Sequence, residues 1–271
     1  MWRATMVVVM MIGGAFAALG HADRGGPPGS PFAYAVFALG DVTLQNGTRA
    51  VDGDVGSNNG TTTVGEGVRV TGAVVGRTVK LRKNALPDSL FCLILLQNGS
   101  TMSCQAVTPP VVSAAQLPPL QVIAGTLKIK IPKNGSTSPI PAGAYGDLRI
   151  ASHGTLVLAG GTYVFKSIQV NSRGQLLCAS ACEIGVAGTV KVKSNATLGG
   201  TGGTHAEDIR VNVAKVSSKT VFAGGKSSNV AAVVYAPGGR IDLRNQGNFV
   251  GAFVGGKVTV EKGAIVQAKV S

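Results

Sequence analysis

Apolar residues in this chain fall at every second position over short stretches, and almost nowhere at the three-and-four spacing of an amphipathic helix. Val42-Thr43-Leu44, Leu148-Arg149-Ile150, Ile168-Gln169-Val170, Val190-Lys191-Val192 and Ile241-Asp242-Leu243 share one form, two aliphatics flanking a polar residue. In an extended strand that order sends the aliphatics to one side and the polar residue to the other. Gly, Asn and Ser fill the joints, where the chain must bend sharply. Strand starts recur about every 8 to 13 residues.

Two blocks carry this rhythm, 32–83 and 125–271, and the second contains most of the strands. Between them, 84–124 breaks it with Cys92, Cys104, Pro109-Pro110 and Pro118-Pro119, and reads as a stapled connection. Its one helix candidate, around Ser113 to Leu117, is stopped by Pro118. No segment is long enough to be a helical crossover between parallel strands, so hairpins or a coiled parallel stack must organise the sheet. Very short strands and Gly at the corners favour the stack. The expected fold class is all-β, a parallel β-helix or solenoid of short Gly-punctuated strands, with a coil of about 25 residues. A β-sandwich is the runner-up, because strand spacing alone suits it equally.

Residues 1–22 read as a secretory signal: Arg3, an apolar run from Thr5 to Leu19, and Gly20 and Ala22 before a cleavage point at Asp23. The run is shorter than a bilayer span and is broken by Gly13 and Gly14, so no membrane span is expected in the mature chain. A Gly/Pro linker, 23–31, follows. Export leads to an oxidising compartment, and the four cysteines then have a local pairing, Cys92 with Cys104 and Cys178 with Cys182. Cys178-x3-Cys182 lacks the spacing of redox and zinc motifs, and no cofactor or metal is implied. Five Asn-x-Ser/Thr sequences, at Asn46, Asn59, Asn98, Asn134 and Asn195, read first as turns, since four of them are Asn-Gly.

Charge changes the picture of the partners. The chain holds 25 Lys and Arg against 12 Asp and Glu, with 14% charged and 5% aromatic residues overall. Loss of Arg3 with the leader barely alters that excess, which leaves two readings for an exported protein: anionic polysaccharide or an extracellular matrix as partner, or a solvated basic surface with no specific partner. Lys128, Lys130, Lys191 and Lys193 are the candidate ligand-facing residues, because each alternates with aliphatics that must face inward. No nucleic-acid motif is present. End-to-end self-association is a further expectation, since open solenoid ends expose unpaired backbone.

Catalytic chemistry finds little footing. Polysaccharide lyases and hydrolases on β-helices need clustered carboxylates, and the acidic residues here are scattered. Asp52 with Asp54 and His205-x-Glu207-Asp208 come nearest, and both read more simply as turn or loop residues. Ser103 beside Cys104 and Ser152 beside His153 are neighbours in sequence only. Ice binding, the remaining class, needs Thr at one position in successive coils. Thr61-Thr62-Thr63 and Thr201/Thr204 look isolated, and several outward positions carry Lys or Arg.

Three motifs form a recognisable set: Pro141-Ala142-Gly143-Ala144-Tyr145-Gly146-Asp147-Leu148, Gly154-Thr155-Leu156-Val157-Leu158 and Gly161-Thr162-Tyr163-Val164-Phe165. Together with Tyr235-Ala236-Pro237-Gly238-Gly239 and Phe249-Val250-Gly251-Ala252-Phe253-Val254-Gly255, they resemble bacterial surface proteins of the choice-of-anchor A type and related proteins described as collagen-binding. Val51 to Lys80 is similar to their N-terminal coil. The resemblance implies an exported, surface-associated β-solenoid and supplies no catalytic residues. No sorting motif or hydrophobic anchor follows Val260, a departure from that pattern. The expected role is a structural or adhesive one at the cell surface, with a polysaccharide-active β-helix enzyme, or an ice-binding-like or self-assembling solenoid, as the alternatives.

Overall fold

The computed structural model describes residues 29–99 and 101–268; the expected signal, 1–22, and most of the linker lie outside the described residues. Every pair of strands is parallel, and successive rungs stack in register into a three-faced solenoid. Leu148 pairs with Ile168, 20 residues on, so a rung is shorter than the ~25 residues expected from strand spacing. Corners of only a few residues suffice, because the chain turns in place. One rung is longer: Val190 pairs with Phe222, and the extra residues form the loops 201–208 and 214–219.

Rungs do not follow chain order. The chain enters mid-stack at Val36–Ala38, which lies between Phe253–Val260 and Val55–Ser57. From there it winds to one end, where Leu86–Gln97 forms the last rung on Arg69–Leu81. The following segment runs back along the outside to the far end, and winding resumes at Ile129–Ile131. The ascending arm ends at Ile265–Gln267, which docks on Ala50–Asp52. The two β blocks are thus one continuous stack, closed by pairing the C-terminal rung to the first N-terminal one.

Two kinds of contact make the stack. Inward residues form one core, with Leu148, Ile150, Leu156, Ile168, Val170, Ile184, Val190, Val211, Val258 and Val266 all buried. At the corner after the first face, each rung places one residue in the left-handed region. Asn84, Asn134, His153, Arg173, Asn195, Ser227 and Gln246 take it at φ 53 to 61°, and Gly47, Gly67 and Gly263 elsewhere. Such a residue costs about 1–2 kcal/mol when it is not Gly. The corner offsets that cost by a backbone ladder: the N–H groups of Asn134, Arg173, Asn195, Ser227 and Gln246 donate to Ser152, Ser194, Lys226, Asn245 and Lys262 at 2.9 to 3.3 Å.

The third face is covered. Among its outward residues Phe37, Val75, Phe91, Tyr235 and Val254 pack with Val107 and Val112 of the returning segment in a second core, while Asn212, next in the column to Tyr235, donates to Glu183 Oε1 at 3.1 Å. Gly56 is obligatory here, since a Cβ on it would stand 2.6 Å from the Tyr34 ring. Polar pins fix the segment: Val112 N–H donates to Asn58 Oδ1 at 2.8 Å, and Tyr235 Oη donates to Pro118 O at 3.0 Å. Ser113 and Gln116 cap a short 3-10 turn, Ala114–Gln116, where the helix was expected. Cys92–Cys104 and Cys178–Cys182 pair as expected, with Cα–Cα distances of 5.5 and 6.2 Å. Among the described residues no helix is long and apolar enough to cross a membrane.

Candidate functional site

With one face covered, two remain to meet a partner, and alternation fills their outward positions. On the first face a single column runs Lys130, Arg149, Gln169, Lys191, Ala223, Asp242, Thr259, Thr43, Thr63 and Lys80, each in register with the next. Its lower half is basic. Its upper half holds threonines that sequence order conceals, because Thr43 sits between Thr63 and Thr259, and Thr61 pairs with Thr78. The expectation that Thr61-Thr62-Thr63 stands isolated is therefore corrected: two of the three belong to a five-threonine patch, while Thr62 points inward and donates to Val75 O at 2.7 Å. Charges border the patch. Lys257 meets Asp41 at 3.1 Å, and Thr61 N–H donates to Asp41 Oδ1 at 3.1 Å, which with Lys257 holds that carboxyl below its usual range.

The second face is different in kind. Seven consecutive strands of it, Ser136–Ile140, Thr155–Leu158, Gln175–Cys178, Thr197–Gly200, Asn229–Ala231, Asn248–Val250 and Ile265–Gln267, contain no charged residue, and the next, Ala50–Asp52, places Asp52 beside Gln267. Outward lies a polar column, Ser136, Thr155, Gln175, Thr197, Asn229 and Asn248. Beside it stands an apolar column: Val157, Leu177 and Gly199, then Ala231 and Val250. A Cβ on Gly199 would meet Ala231 Cβ at 3.4 Å, so the column is continuous across that rung. The result is an array of uncharged hydroxyl, amide and alkyl groups whose rungs repeat at about 4.7–4.9 Å.

The four expected lysines are all exposed on the first face and fall in two places. Lys128 and Lys130 belong to the terminal rung, beside Pro132, Lys133 and Pro139, residues that blunt an open sheet edge. Lys191 and Lys193 line a trough of about 700 Å³ with Lys219, Lys226, Arg244, Thr220, Ser172, Ser194 and Asn245. Its floor is Ala223 and Gly225, where one rung presents almost no side chain. Sequence reading missed Lys219, Lys226 and Arg244, because they sit in loops and corners with no strand pattern around them.

Three of the carboxylates weighed for catalysis have a structural partner. Asp52 accepts from Thr71 Oγ1 at 2.6 Å, Asp54 accepts from Ala73 N–H at 2.8 Å, and Asp208 accepts from His205 N–H at 2.9 Å to cap a 3-10 turn. Asp242, nearly buried, takes Thr220 Oγ1 at 2.6 Å and Arg240 Nε at 2.5 Å. His153 is a left-handed corner residue. Among the described residues no group of three or more His, Cys, Asp or Glu is placed to hold a metal ion.

The fold and these faces define a class, the three-faced parallel β-solenoid whose N-terminal rungs stack on its C-terminal ones. The family described as "Domain of unknown function (DUF7305)" matches residues 144–270, most of the ascending arm. No curated protein matches the chain. Three solved structures are similar to it. An ice binding protein from an Antarctic biological consortium shares 16% identity over 94% of this chain and 97% of its own, with a TM-score of 0.46. An ice-binding protein from the Antarctic ascomycete Antarctomyces psychrotrophicus shares 15% over 89% and 97%, at 0.42. The DUF3494 domain of Shewanella frigidimarina ice-binding protein 1 shares 16% over 90% and 98%, at 0.38.

Proposed function

We propose that this chain is an exported, non-catalytic β-solenoid that adsorbs through its flat second face onto an ordered solid, and that the solid is ice. One observation carries the reading: the second face runs without a charge over seven consecutive strands, presenting a polar column of six residues, Ser136 to Asn248, beside an apolar column of five, Val157 to Val250. A charged side chain keeps a tightly held hydration shell that a lattice must strip. Hydroxyls, amides and small alkyl groups hold water more loosely, and a rigid array of them can seat a water layer in lattice order without paying for its own ordering. Crystalline polysaccharide is the other flat solid, but sugar rings are gripped by aromatic side chains, and Phe249, the aromatic of these strands, points into the core. Two disulfides suit an oxidising exterior, and a surface-displayed role agrees with the resemblance carried by Pro141 to Phe165.

The test is ice recrystallisation and crystal shape with the oxidised chain from residue 23. Faceted crystals and arrested recrystallisation are expected. Ala231→Tyr, a bulge in the middle of the flat face, is expected to abolish both with the melting temperature unchanged. Retained activity in that variant, or spherical crystals with the parent protein, overturns the reading.

A further inference from the structure

The basic trough on the first face belongs to neither the core nor the flat face, and its chemistry asks for an anion. Lys191, Lys193, Lys219, Lys226 and Arg244 surround it against a single acidic lining residue, Glu261. None of the five cations is a partner in the ion pairs seen among the described residues, such as Arg240 with Asp242 and Lys257 with Asp41. Like charges gathered this way repel, so the cluster is a liability to the fold when empty. The hollow also has a built cause. Lys191 and Lys193 stand on one rung and Arg244 two rungs on, while the rung between offers Ala223 and Gly225. A Cβ on Gly225 would lie 2.7 Å from the Lys193 carbonyl carbon, so no side chain fits there and the floor stays low. The loop that carries Lys219 forms the remaining wall.

We propose that this trough binds an acidic polysaccharide, holding its carboxylate or sulfate groups with the five cations and its hydroxyls with Ser172, Ser194, Thr220 and Asn245. The lining contains no aromatic ring on which a nucleic-acid base could stack. Nor does it offer a large exposed apolar side chain to enter a lipid surface. Alternating cations and neutral hydrogen-bonding groups match a chain whose units each carry one anion among hydroxyls. This site lies on a different face from the one assigned to ice, so the chain can adsorb to a solid and hold a hydrated polymer at once.

The experiment is a titration of the oxidised chain from residue 23 with heparin (sulfated), polygalacturonate (carboxylated), dextran (neutral), duplex DNA and anionic phospholipid vesicles, at two salt concentrations. Saturable binding to heparin or polygalacturonate is expected, weakened by salt and absent with dextran, and the tighter of the two polymers identifies the anion. Lys193→Gln with Arg244→Gln is expected to weaken it about tenfold. Lys128→Gln with Lys130→Gln removes the same charge from the terminal rung and is expected to change it less than about twofold. Equal losses from both pairs, an unaffected trough variant, or tighter binding to DNA or vesicles overturns the proposal. The ice assay on the trough variant keeps the two readings apart, since its outcome does not depend on this face.

Discussion

The two uncovered faces are built on one backbone repeat and bury residues of one kind, yet they present opposite surfaces. On the first, the outward position between Leu148 and Ile150 is Arg149, and between Val190 and Val192 it is Lys191. On the second, the outward positions around Leu156 are Thr155 and Val157, and around Leu198 they are Thr197 and Gly199. Inward residues are the same in both cases, buried aliphatics. The lesson is that a solenoid separates its two tasks by parity: within each strand alternate positions hold the stack and those between them are free to specify a surface.

The sharpest way to break the contrast is to make the second face like the first. Gln175→Lys, Thr197→Lys and Asn229→Lys together place three cations on the flat array. Ice shaping is expected to vanish while heparin binding rises, and the melting temperature stays within a few degrees, because these positions lie outside the core. An intact ice activity measured on that variant contradicts the division of labour.

Parity itself is tested one residue apart. Val190→Asp puts a carboxylate into the core and is expected to cost about 3–5 kcal/mol in urea unfolding, whereas Lys191→Gln stays within about 0.5 kcal/mol. Comparable losses from the two would mean that the outward position carries structural load.

The covered face supplies a smaller effect. Burial raises the Tyr235 phenol to about 12, above its ordinary 10, and the neutral hydroxyl donates to Pro118 O. A group whose native value is raised contributes stability that is complete below pH 10 and is lost as pH climbs toward 12. Alkaline unfolding monitored by circular dichroism is expected to show that limb. Tyr235→Phe is expected to remove its contribution and cost about 1 kcal/mol at neutral pH. A limb that is unchanged in the variant assigns the alkaline loss to other groups.

Asp41 marks the smallest difference. Its carboxyl is held low, chiefly by the Thr61 N–H and then by Lys257, so its contribution is present above the usual carboxylate range near 3.8 and fades as pH falls through the native value. Solvent screening limits it, since both partners are well exposed. Asp41→Asn is expected to flatten the acid limb of the melting curve by a few tenths of a kcal/mol only.

Much of this was legible in the residues. Two aliphatics around a polar residue identified strands and which side chains turn inward, from Val42-Thr43-Leu44 to Val258-Thr259-Val260. The local cysteine pairing and the corner role of Asn134 and Asn195 were also legible, because each depends on near neighbours in sequence. The flat face escaped notice for a simple reason. Its strands are short and individually unremarkable, and the absence of charge becomes visible only when Thr155, Gln175, Thr197 and Asn229 are stacked.

What the sequence by itself determined is therefore parity and the corners, both products of steric preferences that act within a few residues. Only the tertiary structure decided which rung lies on which. A parallel rung offers the same row of N–H and C=O groups to any neighbour, so hydrogen bonding does not encode order. The returning segment settles it, spanning about ten rung steps, or roughly 48 Å, along the third face and anchoring there through Val107, Val112 and Pro118. That path is why Thr43 comes to lie between Thr63 and Thr259, residues far apart along the chain. The trough has the same origin in stacking: Lys193, Lys226 and Arg244 belong to separate stretches of sequence, and three rungs at hydrogen-bonding distance turn them into one site.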